Sequence, residues 1–152
     1  MDIDVSLPLD SDDFLRRECP KCEHEFKWHH GQTDDRPEDW NDPPAYWCPL
    51  CGQASAHDQF FTKDQVEFME ESARGPALDL MADELEKAFR GVKGMTYKKG
   101  SGSDRPEPPT PMVEPDDMSQ IKSPCHPWEP VKVPDDSTAP YYCLACGEAY
   151  AV

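Results

Sequence analysis

The sequence has few of the residues that build hydrophobic cores. Leucine, isoleucine, valine and phenylalanine make up 23 of its 152 residues, or about 15%, and a charged chain below about 20% is typical of disorder. Proline, which opposes regular helices and strands, occurs 17 times. Hydrophobic burial alone therefore does not account for a stable fold. We expect either extensive disorder or another source of stability.

The sequence also lacks a long apolar run and an excess of basic residues. No stretch is long and apolar enough to cross a membrane, and five aspartates occupy the first 17 residues in place of the apolar core of a signal peptide. We therefore expect a cytoplasmic protein without membrane contact. The net charge of -16 argues against binding to nucleic-acid phosphates and favours a protein partner with a basic surface.

The sequence does have seven cysteines, an odd number that fits poorly with a set of disulfides. In a reducing compartment, closely spaced cysteines are more often metal ligands than disulfides. Four of them form two pairs with two residues inside each pair, a spacing that directs both sulfurs of one tight turn at one ion. These pairs, which we call knuckles, are Cys19-Pro20-Lys21-Cys22 and Cys48-Pro49-Leu50-Cys51. We predict that they bind one metal ion between two β-hairpins.

The segment around these four cysteines resembles the zinc ribbons of the rubredoxin-like class over about 45 residues. It is also similar to rubredoxin itself in Tyr46-Trp47-Cys48-Pro49-Leu50-Cys51-Gly52, followed by Asp58-Gln59-Phe60. The zinc-ribbon resemblance implies structural zinc, whereas the rubredoxin resemblance implies redox-active iron. Glu23 stands where rubredoxins carry glycine, which favours zinc, although four thiolates suit both metals.

The last segment, residues 124–152, is a shorter version of the first. It contains one complete knuckle, Cys143-Leu144-Ala145-Cys146, and an incomplete one, Cys125-His126-Pro127-Trp128, with tryptophan in place of the second cysteine. Imidazole is the usual substitute for a thiolate at zinc, so we predict His126 as the fourth ligand. The predicted ligands of two zinc ions are Cys19, Cys22, Cys48, Cys51, Cys125, His126, Cys143 and Cys146.

Adjacent ligands such as Cys125 and His126 require an unusual backbone, which leaves another histidine, water or no fourth ligand as alternatives. A zinc ion with three protein ligands and one water is the arrangement of catalytic sites, where Glu129 would be the nearest carboxylate base in sequence. Cysteine-rich sites with one histidine are mostly closed and structural. We therefore expect no enzymatic activity.

Residues 62–92 carry the signals of a helix. A capping box, Thr62 to Gln65, begins the segment, and apolar residues recur at helical spacing from Leu78 to Val92. Gly75-Pro76 interrupts the pattern, which predicts either two helices or one kinked helix. We expect the apolar stripe to pack on the first cysteine segment, with a partner-binding or self-association face as the alternative.

Residues 93–123 are rich in glycine, serine and proline, which predicts a flexible linker. Its basic cluster is interpreted as solvated charge or, alternatively, as a contact for nucleic acid or an acidic protein. The cluster consists of Lys93, Lys98, Lys99 and Arg105.

Other chemically capable side chains surround the cysteines. Four thiolates already fill a zinc shell, so we expect the remaining histidines to lie outside it, and we expect the tryptophans to form small cores beside the metals. These residues are His24, His29, His30 and His57, with Trp28, Trp40, Trp47 and Trp128.

These patterns predict a small α+β protein stabilised by metal. We expect a four-cysteine zinc ribbon over 14–61, a helical segment over 62–92, a linker over 93–123 and a second, smaller zinc ribbon over 124–152. The favoured function is a non-enzymatic adaptor or regulatory protein that binds other proteins. Alternatives are a nucleic-acid-binding regulator, an acidic mimic of nucleic acid, and a rubredoxin-like electron carrier with iron at the first site.

Overall fold

The computed structural model describes residues 4–94 and 106–152. Within these ranges the protein is α+β, with one long helix and three antiparallel sheets. The chain divides into two compact units, one of Met1–Ser6 and Asp64–Met112, the other of Leu7–Lys63 and Val113–Val152. All eight predicted metal ligands belong to the latter, which we call the cysteine unit.

The cysteine unit contains two repeats of four strands each. The first repeat consists of β1 (Phe14–Glu18), β2 (Glu25–His29), β3 (Tyr46–Trp47) and β4 (Ala54–Ser55), followed by a 3-10 turn at His57–Gln59. The second repeat consists of β5 (Met118–Ile121), β6 (Val131–Pro134), β7 (Tyr141–Tyr142) and β8 (Ala149–Tyr150).

The largest sheet joins the two repeats. Its strand order is β1-β2-β6-β5, and its central pair places Lys27 opposite Lys132 and Trp28 opposite Val131. The short strands form two separate hairpins, β3-β4 and β7-β8. Each repeat therefore contributes one hairpin to the shared sheet and one hairpin that carries a complete knuckle.

The two knuckle hairpins contact each other reciprocally. The backbone N–H of Trp47 donates to the Leu144 carbonyl at 3.0 Å, and the backbone N–H of Tyr142 donates to the Pro49 carbonyl at 3.0 Å. Trp47 and Tyr142 each precede a knuckle directly, and Pro49 and Leu144 each follow its first cysteine. Reciprocal contacts between equivalent residues indicate a two-fold relation, here between two halves of one chain.

The hydrophobic core of the cysteine unit draws on both repeats. Phe26 packs edge-on against Phe60 at 5.8 Å between ring centroids, and Trp28 packs on the same ring at 5.4 Å. Two of the predicted ligands, Cys19 and Cys48, are part of this core, which ties the aromatic packing to the cysteine positions. The buried members are Cys19, Phe26, Cys48, Phe60, Val131, Val133, Tyr141 and Leu144.

Buried charges occupy the centre of the shared sheet. Lys27 and Lys132 are only 0% and 4% exposed, and their Nζ atoms lie 3.2 and 2.8 Å from one carboxylate oxygen of Asp10. Burial opposes ionisation of Asp10, but hydrogen bonds from Lys132 and from the Phe14 backbone outweigh it and hold its pKa below the usual range. The lysines are thus paired rather than isolated, as buried charges must be.

The end of the predicted linker is structured. β5 pairs with β6 at four positions, and Glu114 and Asp117 bind the Arg16 guanidinium at 2.8 and 2.6 Å. The segment is short and polar, so the sequence has no apolar alternation that would reveal a strand. Its order comes from partners about 100 residues earlier in the chain. The Gly/Ser-rich part of the linker lies outside the described residues.

The helical segment forms one continuous helix, α1 (Lys63–Phe89), with Pro76 inside it rather than between two helices. Its stripe residues Leu78, Met81 and Leu85 are 45%, 61% and 43% exposed, so they bury little apolar area. Packing of the stripe on the first cysteine segment stays a prediction. No helix within 4–94 or 106–152 is both long and apolar enough to span a membrane.

Candidate metal centres

The first four cysteines converge at one point. Cys19 and Cys22 lie in the turn between β1 and β2, and Cys48 and Cys51 lie in the turn between β3 and β4. Their four sulfur atoms lie within 4.8 Å of one another. The shortest inter-knuckle distances are 3.7 Å, between Cys19 and Cys51, and 3.8 Å, between Cys22 and Cys48.

These distances fit a tetrahedral metal site. Zinc binds thiolate sulfur at about 2.3 Å, and a tetrahedron of that radius has edges of about 3.8 Å. The measured separations of 3.7 and 3.8 Å therefore leave room for an ion at the centre without movement of the sulfurs. Iron forms thiolate sites of the same kind, so this geometry is compatible with either metal.

Backbone amides point at the sulfurs, as expected for knuckles. The N–H groups of Lys21 and Cys22 lie 3.3 and 3.5 Å from the Cys19 sulfur, and the Leu50 N–H lies 3.4 Å from the Cys48 sulfur. Such donors stabilise the negative charge of a thiolate ligand.

The residue after each complete knuckle has a left-handed backbone. Gly52 and Gly147 adopt φ of +75° and +77°, and Glu23 adopts φ of +62°. The left-handed region favours glycine because a Cβ atom crowds the backbone there. Glu23 therefore carries strain at the position where the rubredoxin resemblance leads one to expect glycine. The turn keeps the geometry of a knuckle despite this substitution.

The second cluster comprises Cys125, His126, Cys143 and Cys146, whose ligand atoms also lie within 4.8 Å of one another. The Cys125 and Cys146 sulfurs are 3.5 Å apart, and the Cys143 sulfur is 3.4 Å from Nδ1 of His126. A tetrahedral zinc with one imidazole ligand has a sulfur-to-nitrogen edge of about 3.6 Å. The adjacent residues Cys125 and His126 are therefore both placed to bind one ion.

A serine that the sequence did not single out supports this second cluster. Ser123 is 3% exposed, and its hydroxyl lies 3.2 Å from the Cys143 sulfur. The same hydroxyl accepts a hydrogen bond from the backbone N–H of His126 at 3.3 Å. The rings of Trp40 and Trp128 flank the imidazole, with centroids 4.9 and 5.3 Å from it. These neighbours restrict the orientation of His126, as outer partners of a metal ligand commonly do.

The two clusters differ in their exposure to solvent. Cys19, Cys48 and Cys143 are fully buried, whereas Cys146 is exposed. Burial raises the pKa of the Cys22 thiol to about 11 and that of the Cys146 thiol to about 12. Metal binding to these thiols would therefore release protons, because only the thiolate coordinates the ion.

The other residues predicted around the metals lie outside both clusters. His24, His29, His30 and His57 are not among the grouped ligand atoms, and neither is Glu129. Of the basic cluster in the linker, Lys93 is described and exposed, whereas Lys98, Lys99 and Arg105 lie outside the described residues. Trp28 packs beside the hydrophobic core as expected.

Replacement of His126 tests whether it completes the second cluster. We expect His126→Ala to weaken zinc binding at that site by about 100-fold or more, because loss of a ligand exceeds the 10- to 100-fold effect of losing an outer partner. The measurement is competition for zinc with a chromophoric chelator. His24→Ala, which changes an exposed histidine outside the cluster, should bind zinc like the parent protein. Equal affinity of both variants would assign the fourth position to another ligand.

Comparison of the whole chain with models of protein families, with curated proteins and with solved structures finds no match. The two ligand clusters and their surroundings therefore carry the functional argument.

Proposed function

We propose that the protein is a non-enzymatic, cytoplasmic zinc protein in which two zinc-ribbon modules form a rigid surface for binding another protein. The observation that carries this proposal is the presence of two complete four-ligand clusters, one of four cysteines and one of three cysteines and a histidine. Complete sets of this composition are typical of structural zinc.

Zinc is favoured over iron by the second cluster. Three thiolates and one imidazole are a common set for structural zinc, whereas one-iron electron carriers use four thiolates. The second set contains His126 in place of a fourth cysteine. The two repeats share one sheet and equivalent knuckle contacts, which supports the same metal in both.

The absence of enzymatic activity is proposed from the same ligand sets. A catalytic zinc keeps one position open for water, and Nδ1 of His126 lies where it would fill that position. Glu129, the carboxylate that would act as the base, is not grouped with the second cluster. Closed sites of this kind hold a fold together and leave binding as the function.

The proposed partner is a protein with a basic surface. The chain carries 31 acidic against 15 basic residues, so long-range attraction favours a positive partner and repels phosphate backbones. Association should weaken as salt rises, because exposed charges are screened over about 8 Å at physiological ionic strength.

The test is metal analysis of protein purified from cells supplied with both iron and zinc. We expect two zinc ions per chain and a colourless sample. We also expect a native protein partner to be captured with the chain, and its affinity for the chain to fall as the salt concentration rises. A red sample with iron at the first site would contradict the proposal and support electron transfer. Binding to DNA or RNA in place of protein would contradict the proposed partner class.

A further inference from the structure

A cavity of about 210 Å³ is lined by residues of both repeats of the cysteine unit, and none of the eight predicted metal ligands lines it. Glu129 and Leu144 of the second repeat line it together with residues of the first repeat and the loop that follows β2. Its functional groups are both aromatic and charged. They include Trp28, Arg36, Asp42, Tyr46, His57 and Glu129.

One wall of the cavity is aromatic and preformed. The Tyr46 ring stacks face to face on the His57 ring, with 4.0 Å between centroids and an 8° angle between planes. The Trp28 ring meets Tyr46 at 5.1 Å and 62°. Among the described residues, Nε2 of His57 is buried without a hydrogen-bond partner. Flat π surfaces with an unused polar atom suit a planar, hydrogen-bonding guest.

The charged part of the lining contains two carboxylates, Asp42 and Glu129, and one guanidinium, Arg36. The Arg36 guanidinium binds Asp42 at 3.0 Å and the Trp40 carbonyl at 3.1 Å, but it lies 3.9 Å from Glu129, beyond hydrogen-bond distance. The Glu129 side chain is only 15% exposed.

We propose that this cavity binds the guanidinium group of an arginine side chain presented by a protein partner. A guanidinium is planar, stacks on aromatic rings and donates to a carboxylate, so it matches both the aromatic and the acidic residues that line the cavity. Its charge would neutralise Glu129, which Arg36 does not reach within hydrogen-bond distance. The inference rests on the proposed function, since it specifies which side chain of the basic partner is recognised.

The first experiment needs no variant of the protein. The zinc-loaded chain is titrated with the peptide acetyl-Gly-Arg-Gly-amide and with its citrulline analogue, which keeps the shape of arginine but lacks the charge. We expect the arginine peptide to bind at least about tenfold more tightly, because hydrogen bonds to charged groups exceed neutral ones by about that factor. NMR shifts should be concentrated at Trp28 and His57. Equal affinities, or shifts spread away from the cavity, would overturn the proposal.

The second experiment removes the charge of the cavity. Glu129→Gln should reduce affinity for the arginine peptide by about tenfold and leave the citrulline peptide unaffected. Asp136→Asn is the matched control, because it makes the same chemical change at an exposed residue that does not line the cavity. Metal content and thermal unfolding of both variants establish that they fold.

These results separate the cavity from the proposed function. If the protein holds two zinc ions and binds its native partner while the arginine peptide fails to bind, only the cavity proposal falls. If the arginine peptide binds specifically but the native ligand is a nucleic acid, the proposed partner class falls while recognition of guanidinium stands. Binding of the arginine peptide that persists in Glu129→Gln would also refute the role assigned to the cavity.

Discussion

Removal of zinc by a strong chelator should unfold both repeats of the cysteine unit in one cooperative step. A structural zinc contributes about 10 to 16 kcal/mol of apparent binding free energy, whereas a whole domain is stable by only about 5 to 15 kcal/mol. The free energy lost with either zinc ion would therefore be as large as the whole free energy of unfolding of the cysteine unit. The hydrophobic core is small, because eleven hydrophobic residues are buried within the described ranges and three of them, Cys19, Cys48 and Cys143, are predicted ligands.

Cooperativity between the repeats follows from their shared elements. The sheet order β1-β2-β6-β5 places strands of both repeats side by side, and each knuckle hairpin hydrogen-bonds to the other. Neither repeat retains a complete sheet or core if the other unfolds. Two independent zinc modules on a linker would instead lose structure separately, each with its own metal.

The measurement follows zinc release together with NMR amide signals of Trp28 in the first repeat and Tyr142 in the second. The equivalent variants Cys48→Ser and Cys143→Ser should each lose signals from both repeats, although each removes a ligand of only one cluster. His24→Ala serves as the folded control. Survival of one repeat in either variant would show that the modules are independent.

The cysteine spacing predicted that the seven cysteines form two groups, and the structure groups them in that way. A knuckle is a local turn, so two residues between cysteines determine the direction of both sulfurs without reference to the rest of the fold. The β7-β8 hairpin could be predicted in the same way, because strand-like residues flank Cys143 and Cys146 in the sequence. The pattern of the first segment places the second ligand at position 128, where Trp128 stands. His126 was predicted because imidazole commonly replaces a thiolate at zinc, although its direct adjacency to Cys125 left other ligands open.

The pairing of the two repeats in one sheet could not be predicted from the sequence in this way. It depends on contacts between residues far apart in the chain, such as Lys27 with Lys132 and Trp47 with Leu144. Buried lysines on a central strand also depart from the alternation of apolar and polar residues expected of a half-buried strand. Their charges are tolerated because Asp10, more than 100 residues from Lys132, is buried with them.

The helical segment shows a different limit of sequence reasoning. Helical spacing correctly predicted a helix, and Pro76 did not divide it. The same spacing predicted a stripe that packs on the first cysteine segment; Leu78, Met81 and Leu85 are exposed by more than 40%, and that packing stays a prediction. Periodicity shows which residues share a face, whereas burial depends on whether another surface covers that face.

Gly147→Ala is the substitution for which we expect the largest effect outside the metal ligands. Gly147 has φ of +77°, and a Cβ atom built there would lie 2.5 Å from Cδ1 of the Trp47 indole. The left-handed conformation costs about 1 to 2 kcal/mol for a residue with a Cβ, and overpacking costs about 1 to 3 kcal/mol more. We therefore expect a loss of about 3 kcal/mol in the free energy of unfolding.

Relief of this collision requires either rotation of the Trp47 indole or a shift of the Trp47 backbone. The backbone N–H of Trp47 donates to the Leu144 carbonyl at 3.0 Å, so a shift of the Trp47 backbone would disturb the contact between the knuckle hairpins. The relation is reciprocal, since a Cβ at Gly52 would lie 2.9 Å from the Tyr142 ring. Gly52→Ala should therefore destabilise the protein by a similar but smaller amount.

Gly31→Ala separates backbone strain from collision. Gly31 has φ of +82° but no atom within 4 Å of a built Cβ, so its substitution should cost only the strain of about 1 to 2 kcal/mol. Denaturant unfolding of the zinc-loaded variants measures the difference.

The double variant Gly147→Ala with Trp47→Leu replaces the indole by a smaller side chain. It should recover part of the free energy of unfolding that Gly147→Ala loses, because the two residues are in contact and their effects are not additive. Equal destabilisation by Gly147→Ala and Gly31→Ala would mean that the knuckle hairpins are not packed against each other in solution, and the single cooperative unfolding expected on zinc removal would lose its structural basis.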